Sequence, residues 1–116
     1  MGPLLDTFTT ELRRGTLTLA VLSQLRTPQY GYSLVQRLEK AGVTIEQSTL
    51  YPLLRRLEKQ ELLTSSWDTT ESRPRKYYVI SEYGNEIYGQ LKKEWETMTL
   101  ELKALVEGDE IDDEFE

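Results

Sequence analysis

The sequence predicts a mainly α fold with a small β-hairpin, and three observations carry that expectation. Apolar residues recur at helical spacing in three successive segments of the first 60 residues. Two short runs rich in β-branched and aromatic residues, Leu62 to Asp68 and Lys76 to Ile80, then flank the polar stretch Thr69 to Arg75. Finally, Tyr88, Leu91, Trp95, Met98, Leu102 and Leu105 follow one another at alternating spacings of three and four, a heptad seam. At 116 residues the chain fits one ordinary domain with one apolar core. It contains neither Cys nor His, so disulfides and the usual zinc sets are excluded and the core must hold by packing.

The first helix is expected from Phe8 to Leu25. Leu12, Leu19, Leu22 and Leu25, with Ala20 and Val21 between them, predict a segment buried on more than one side. Thr27-Pro28 ends it, because proline disfavours helical geometry at the residue before it. A short connector through Gln29 leads to a second helix that begins near Tyr30 or Gly31 and carries Leu34, Val35 and Leu38. Lys40-Ala41-Gly42 supplies a cation and a glycine stop, and Val43 to Ile45 is extended. The third helix is expected to start near Ser48 as its N-cap and to reach Gln60, with Pro52 in about the first turn. Its apolar stripe is Leu50, Leu53, Leu54 and Leu57.

After the hairpin, Ser81 is an N-cap before an acidic first turn, and a long helix is expected from Glu82 towards Val106. The resulting division is 1–81 for a winged helix-turn-helix unit, 82–106 for a dimerisation helix bearing the seam, and 107–116 for an acidic tail too polar to pack. No leading basic-plus-apolar segment and no long apolar run is found, which predicts a soluble, cytoplasmic chain with no membrane partner.

The net charge of −6 hides an uneven distribution. Residues 1–80 hold eleven Lys and Arg against eight acids, whereas residues 81–116 hold three against twelve. Basic charge therefore accompanies the helix-turn-helix elements, whose second helix, here Ser48 to Gln60, enters a major groove about 12 Å wide in proteins of this architecture. Gln47, Ser48, Thr49 and Tyr51 stand at its start, where free amides and the helix dipole attract phosphate. Arg55 is a candidate phosphate contact, and Arg73, Arg75 and Lys76 gather around Pro74 at the hairpin tip.

Three stretches resemble the PadR-like transcription regulators: Tyr30-Gly31-Tyr32-Ser33-Leu34, the run from Ser48 to Glu58, and Arg73-Pro74-Arg75-Lys76-Tyr77-Tyr78 followed by Ser81-Glu82-Tyr83-Gly84. The resemblance implies a short-form repressor that dimerises through its C-terminal helix and reads an inverted repeat in duplex DNA. Ser48, Thr49 and Tyr51 match its recognition-helix positions, and Arg73, Arg75 and Lys76 match its basic wing tip. Glu71-Ser72 stands where the family often has glycine. In a multidrug-sensing branch, the tryptophan matching Trp95 stacks on planar aromatic compounds at the dimer centre, so the resemblance allows such a ligand here, beside the simpler reading of the seam as a dimer interface alone.

Plainer readings stand beside these. Arg55, Arg56 and Lys59 also suit a solvated face next to Glu58 and Glu61, and the tyrosines also suit packing, with only one of Tyr77 and Tyr78 turned inward by strand alternation. A winged-helix adaptor that binds protein instead of DNA is consistent with the acidic net charge. Enzymatic chemistry has no motif behind it: there is no phosphate loop or nucleophile elbow, and Asp112-Asp113 lies in the polar tail. No cofactor is expected.

Overall fold

The computed structural model describes residues 2–108. Along the chain run α1 (Pro3–Arg14), α2 (Leu17–Ser23), β1 (Gln29–Tyr30), α3 (Gly31–Lys40), α4 (Gln47–Lys59), β2 (Leu63–Asp68), β3 (Arg75–Ile80) and α5 (Glu82–Glu107). This is a winged helix-turn-helix with an appended long helix. The acidic tail predicted for 107–116 falls, from residue 109 onward, outside the described residues.

The single first helix expected from Phe8 to Leu25 is in fact two. The Arg13 carbonyl accepts both the Thr16 amide, at 3.1 Å, and the Thr16 hydroxyl, at 3.0 Å. That tight turn takes the acceptor an uninterrupted helix needs. The break separates two environments. Val21, Leu22 and Leu25 are fully buried, whereas no residue of α1 is buried and Leu12 is 77% exposed. Helix α1 starts earlier than expected, with Pro3 in the first turn, where its missing N–H costs nothing.

Helix α3 ends as its glycine predicts. Gly42, at φ 88°, lets the Gly42 amide reach the Glu39 carbonyl and the Val43 amide reach the Leu38 carbonyl, both at 2.9 Å. Helix α4 closes with the same pair of bonds, Glu61 to Glu58 and Leu62 to Leu57, but uses Glu61 at φ 66°. Its start differs from expectation by one turn's detail. Glu46 is the N-cap residue, Ser48 lies inside the first turn, and Pro52 falls in the second turn. Proline there deprives the Ser48 carbonyl of its helical donor, at a position where the helix start is exposed. The stripe Leu50, Leu53, Leu54 and Leu57 is buried as predicted, against Leu34, Leu38, Ile45, Leu62 and Leu63.

The connector at Gln29–Tyr30 is itself a strand. It pairs antiparallel with β3, Gln29 opposite Tyr78 and Tyr30 opposite Tyr77, giving sheet order β1-β3-β2. Strands β2 and β3 pair from Leu63 opposite Ile80 to Asp68 opposite Arg75. Tyr78 is buried and Tyr77 lies on the other face, edge-on to Tyr30 at 5.4 Å. Ser81 caps α5 by accepting the Gly84 amide at 2.9 Å, and its own hydroxyl donates to the Glu61 carbonyl. Gly84 is pressed so close to the Leu62 carbonyl that no Cβ fits there. These contacts fix where α5 leaves the domain.

Beyond Tyr88, α5 runs on past the core at about 1.5 Å per residue, with α1 and the start of α2 facing it across an open groove. The radius of gyration, 17.9 Å, exceeds the roughly 13 Å of a compact chain this long. Leu91, Trp95, Met98, Leu102 and Leu105 lie exposed along α5, and Leu4, Leu5, Phe8 and Leu12 lie exposed along α1. Tyr88, expected in the seam, instead packs half-buried on the domain's own core beneath Arg26, because α2 covers this first part of α5.

Candidate nucleic-acid interface

Helix α4 brings Gln47, Ser48, Thr49 and Arg55 to the surface on the side away from its leucine stripe. Its first amides lack intrahelical acceptors and carry the positive end of the dipole. The Ser48 hydroxyl donates to Glu46 at 3.3 Å, so an acid that sequence reasoning passed over sits beside the helix start. Tyr51 is half-buried. The hydroxyl end of its ring sits against Gly31, where a Cβ would fall inside 3.0 Å of Tyr51 Cε1, Cζ and Oη. The glycine at the start of α3 therefore decides where the Tyr51 hydroxyl is held.

The wing rises beside this helix. Asp68 Oδ1 accepts the Thr70 amide at 3.0 Å and the Thr70 hydroxyl at 2.7 Å, and these bonds hold the Asp68 carboxyl below its ordinary range. The turn they close directs the tip. The three cations predicted at that tip have different surroundings. Arg75 lies 4.7 Å above the Tyr30 ring and 3.7 Å from Glu71, and contact with Tyr77 first, then Tyr30 and Glu71, raises its pKa. Lys76 Nζ lies 3.3 Å from Glu58 Oε1 and 5.2 Å from the Tyr78 ring. Desolvation works against the Lys76 charge, but the hydrogen bond and charge of Glu58, together with the Tyr78 hydroxyl, outweigh it and the pKa rises. Arg73 alone among the three has neither an ion pair nor a ring contact among the described residues.

Glu58 is the unforeseen member of the site. Its carboxylate accepts the Ser65 hydroxyl through Oε2 and the Lys76 ammonium through Oε1, which ties α4 to both wing strands. The Ser65 bond is the largest influence holding its pKa below the ordinary value, with Lys76 adding to it against a smaller desolvation effect. Sequence reasoning paired Glu58 with its own helix face, and the contact across elements had no local signal.

Between α4, the start of α3 and the wing lies a groove of about 660 Å³, lined by Tyr30, Gly31, Gln47, Tyr51, Trp67 and Arg73 to Lys76 among others. Ser48, Thr49 and Arg55 do not line it. A second, apolar groove of about 820 Å³ lies between α1 and α5 and gathers Phe8, Leu12, Leu19, Leu91, Trp95 and Met98. Trp95 is 45% exposed there. The α1 side of this groove escaped the sequence reading, although Leu4, Phe8 and Leu12 recur at the spacing of one helix face.

A helix-turn-helix whose second helix and wing share one cationic groove defines a DNA-directed regulator. The model of the transcriptional regulator PadR-like family matches residues 18–93, and the chain belongs to that family. Its members are regulators of transcription, not enzymes. The chain is similar to the crystal structure of a PadR family transcriptional regulator from Eggerthella lenta DSM 2243, with 45% identity and a TM-score of 0.87 over 91% of this chain and 95% of that one. A PadR-like transcription factor from Bacteroides fragilis is 30% identical, with a TM-score of 0.71 over 86% of this chain and 99% of that one. An uncharacterised protein of Lysinibacillus sphaericus is 30% identical over 103 residues, which are 84% of this chain and 94% of that one. Among the described residues, no helix is long and apolar enough to cross a membrane.

Proposed function

We propose that this regulator is a cytoplasmic repressor that binds palindromic duplex DNA as a homodimer. The observation that carries the reading is the single groove formed by the α4 start, Tyr51 and the wing cations, standing beside two apolar helix stripes that the chain itself leaves uncovered. Gln47, Ser48, Thr49 and Tyr51 approach base edges and phosphates in the major groove, Arg55 takes a phosphate, and Arg73 leads the wing contacts with Arg75 and Lys76 behind it. Leu91, Trp95, Met98, Leu102 and Leu105 of α5, with Leu4, Phe8 and Leu12 of α1, form the dimer interface, which Tyr88 flanks. Burying such stripes contributes about 25 cal/mol per Å² of apolar surface removed from water, set against the entropy lost on association.

The α1/α5 groove supports a second part of the reading. It takes a planar aromatic ligand against the face of Trp95. The ligand releases DNA by favouring a dimer in which the two α4 helices are wrongly spaced, since only differential affinity shifts a two-state equilibrium.

The test is a titration of duplexes, selected from a random pool by the full chain, across a range of salt. Binding is expected to weaken steeply as salt rises, through release of counterions from several phosphates. Failure to select any sequence, or salt-insensitive binding, contradicts the proposal. Dye binding that quenches Trp95 and releases DNA tests the ligand, and its absence in Trp95→Leu completes the assignment.

A further inference from the structure

Trp67 is the largest side chain of the wing, and among the described residues it joins neither the core nor a ring or cation contact. It lies on β2 opposite Lys76, and strand alternation places it on the same face as Leu63 and Ser65. That face packs on α4 at Leu63, and at Ser65 it meets Glu58. One step further towards the tip, α4 no longer covers the sheet, and Trp67 is left 64% exposed. It lines the same groove as Gln47, Tyr51, Arg73 and Arg75.

We propose that Trp67 is a nucleic-acid contact whose indole face packs on a deoxyribose of the strand passing between α4 and the wing. The chemistry around the groove selects that occupant. The cations and the α4 amides around the groove call for an anionic chain, and a sugar between two phosphates is the apolar part of such a chain that an indole can cover. An indole neutralises no phosphate, so this contact adds affinity without adding to the salt dependence. The inference rests on the DNA-binding reading above.

The experiment uses the full chain and a duplex selected from a random pool by the wild type. Trp67→Ala is expected to weaken binding about tenfold, the order found for aromatic contacts with nucleic acid, while the slope of log affinity against log salt stays at the wild-type value. Trp67→Phe, which keeps a flat ring, is expected to recover most of the loss. In protein labelled with 5-fluorotryptophan, one of two resonances disappears in Trp67→Phe, and that resonance is expected to shift when the duplex is added. Wild-type affinity in Trp67→Ala overturns the inference, as does an unmoved resonance. A loss accompanied by a flattened salt slope also overturns it, because that marks a collapsed wing. If the wild type selects no duplex, the DNA-binding reading falls first; if it does and Trp67→Ala binds normally, only the present inference falls.

Discussion

Replacing Glu58 by Gln tests the electrostatics of the wing most sharply, because the structure predicts a gain of DNA binding from the loss of a salt bridge. Lys76 Nζ is held 3.3 Å from Glu58 Oε1, and both side chains are about one third exposed. Its charge is thus compensated within the protein. Glutamine retains an oxygen to accept the Ser65 hydroxyl but removes the negative charge, which frees one cation per protomer and two in the proposed dimer. Each phosphate newly neutralised steepens the dependence of log affinity on log salt by about 0.9, so the dimer gains up to about 1.8. Between about 50 and 200 mM salt, the binding advantage of the variant then shrinks by roughly tenfold. The fold survives, since a pair this exposed contributes only about 0–1 kcal/mol. Fluorescence anisotropy of a labelled duplex measures the slope. Adding Lys76→Ala to Glu58→Gln is expected to return it to the wild-type value, whereas Arg73→Ala alone flattens it by about 1.8. A slope in Glu58→Gln equal to or shallower than wild type refutes this account of Lys76.

Three further outcomes follow from the same contacts. Gly31→Ala is expected to push the Tyr51 ring off its seat, so DNA affinity falls while the melting temperature changes little; equal affinity contradicts the positioning of Tyr51 by Gly31. Glu61→Gly is expected to raise stability in chemical denaturation by about 0.5–1 kcal/mol, because Glu61 occupies the left-handed region at φ 66° without a side-chain hydrogen bond of its own. For Glu58 the folded-state pKa is depressed, so its stabilising effect is complete above the ordinary value of 4.5 and is lost as pH falls through the lower folded-state value. Acid melts of the wild type should accordingly fall more steeply below that pH than those of Glu58→Gln, and parallel curves contradict the assignment.

Elements whose signals are local were legible in the sequence. Gly42 ends α3, Ser81 starts α5, and the leucines of α4 face the core as their spacing requires. Signals that depend on partners across the fold were not. Continuous apolar periodicity from Phe8 to Leu25 concealed the turn at Thr16, because α1 and α2 both carry apolar stripes but turn them to different places. Glu61 gives no glycine signal for the end of α4, and the two-residue strand β1 depends on pairing with β3, fifty residues away in the chain by rough count. At the site, the residue types of α4 and the wing tip were readable, but their electrostatic states were not. Nothing near Lys76 in the sequence announces that Glu58 neutralises it, and nothing near Trp67 announces that α4 stops short of it.

Whether two copies of this chain present two α4 helices to one duplex is decided by hydroxyl-radical footprinting on a selected duplex. The account predicts two chains per duplex and two protected half-sites related by a two-fold axis, their centres one helical turn or a multiple of it apart, about 34–36 Å for one turn. A single protected patch bound by one chain, or uniform weak protection at every salt concentration, would contradict it.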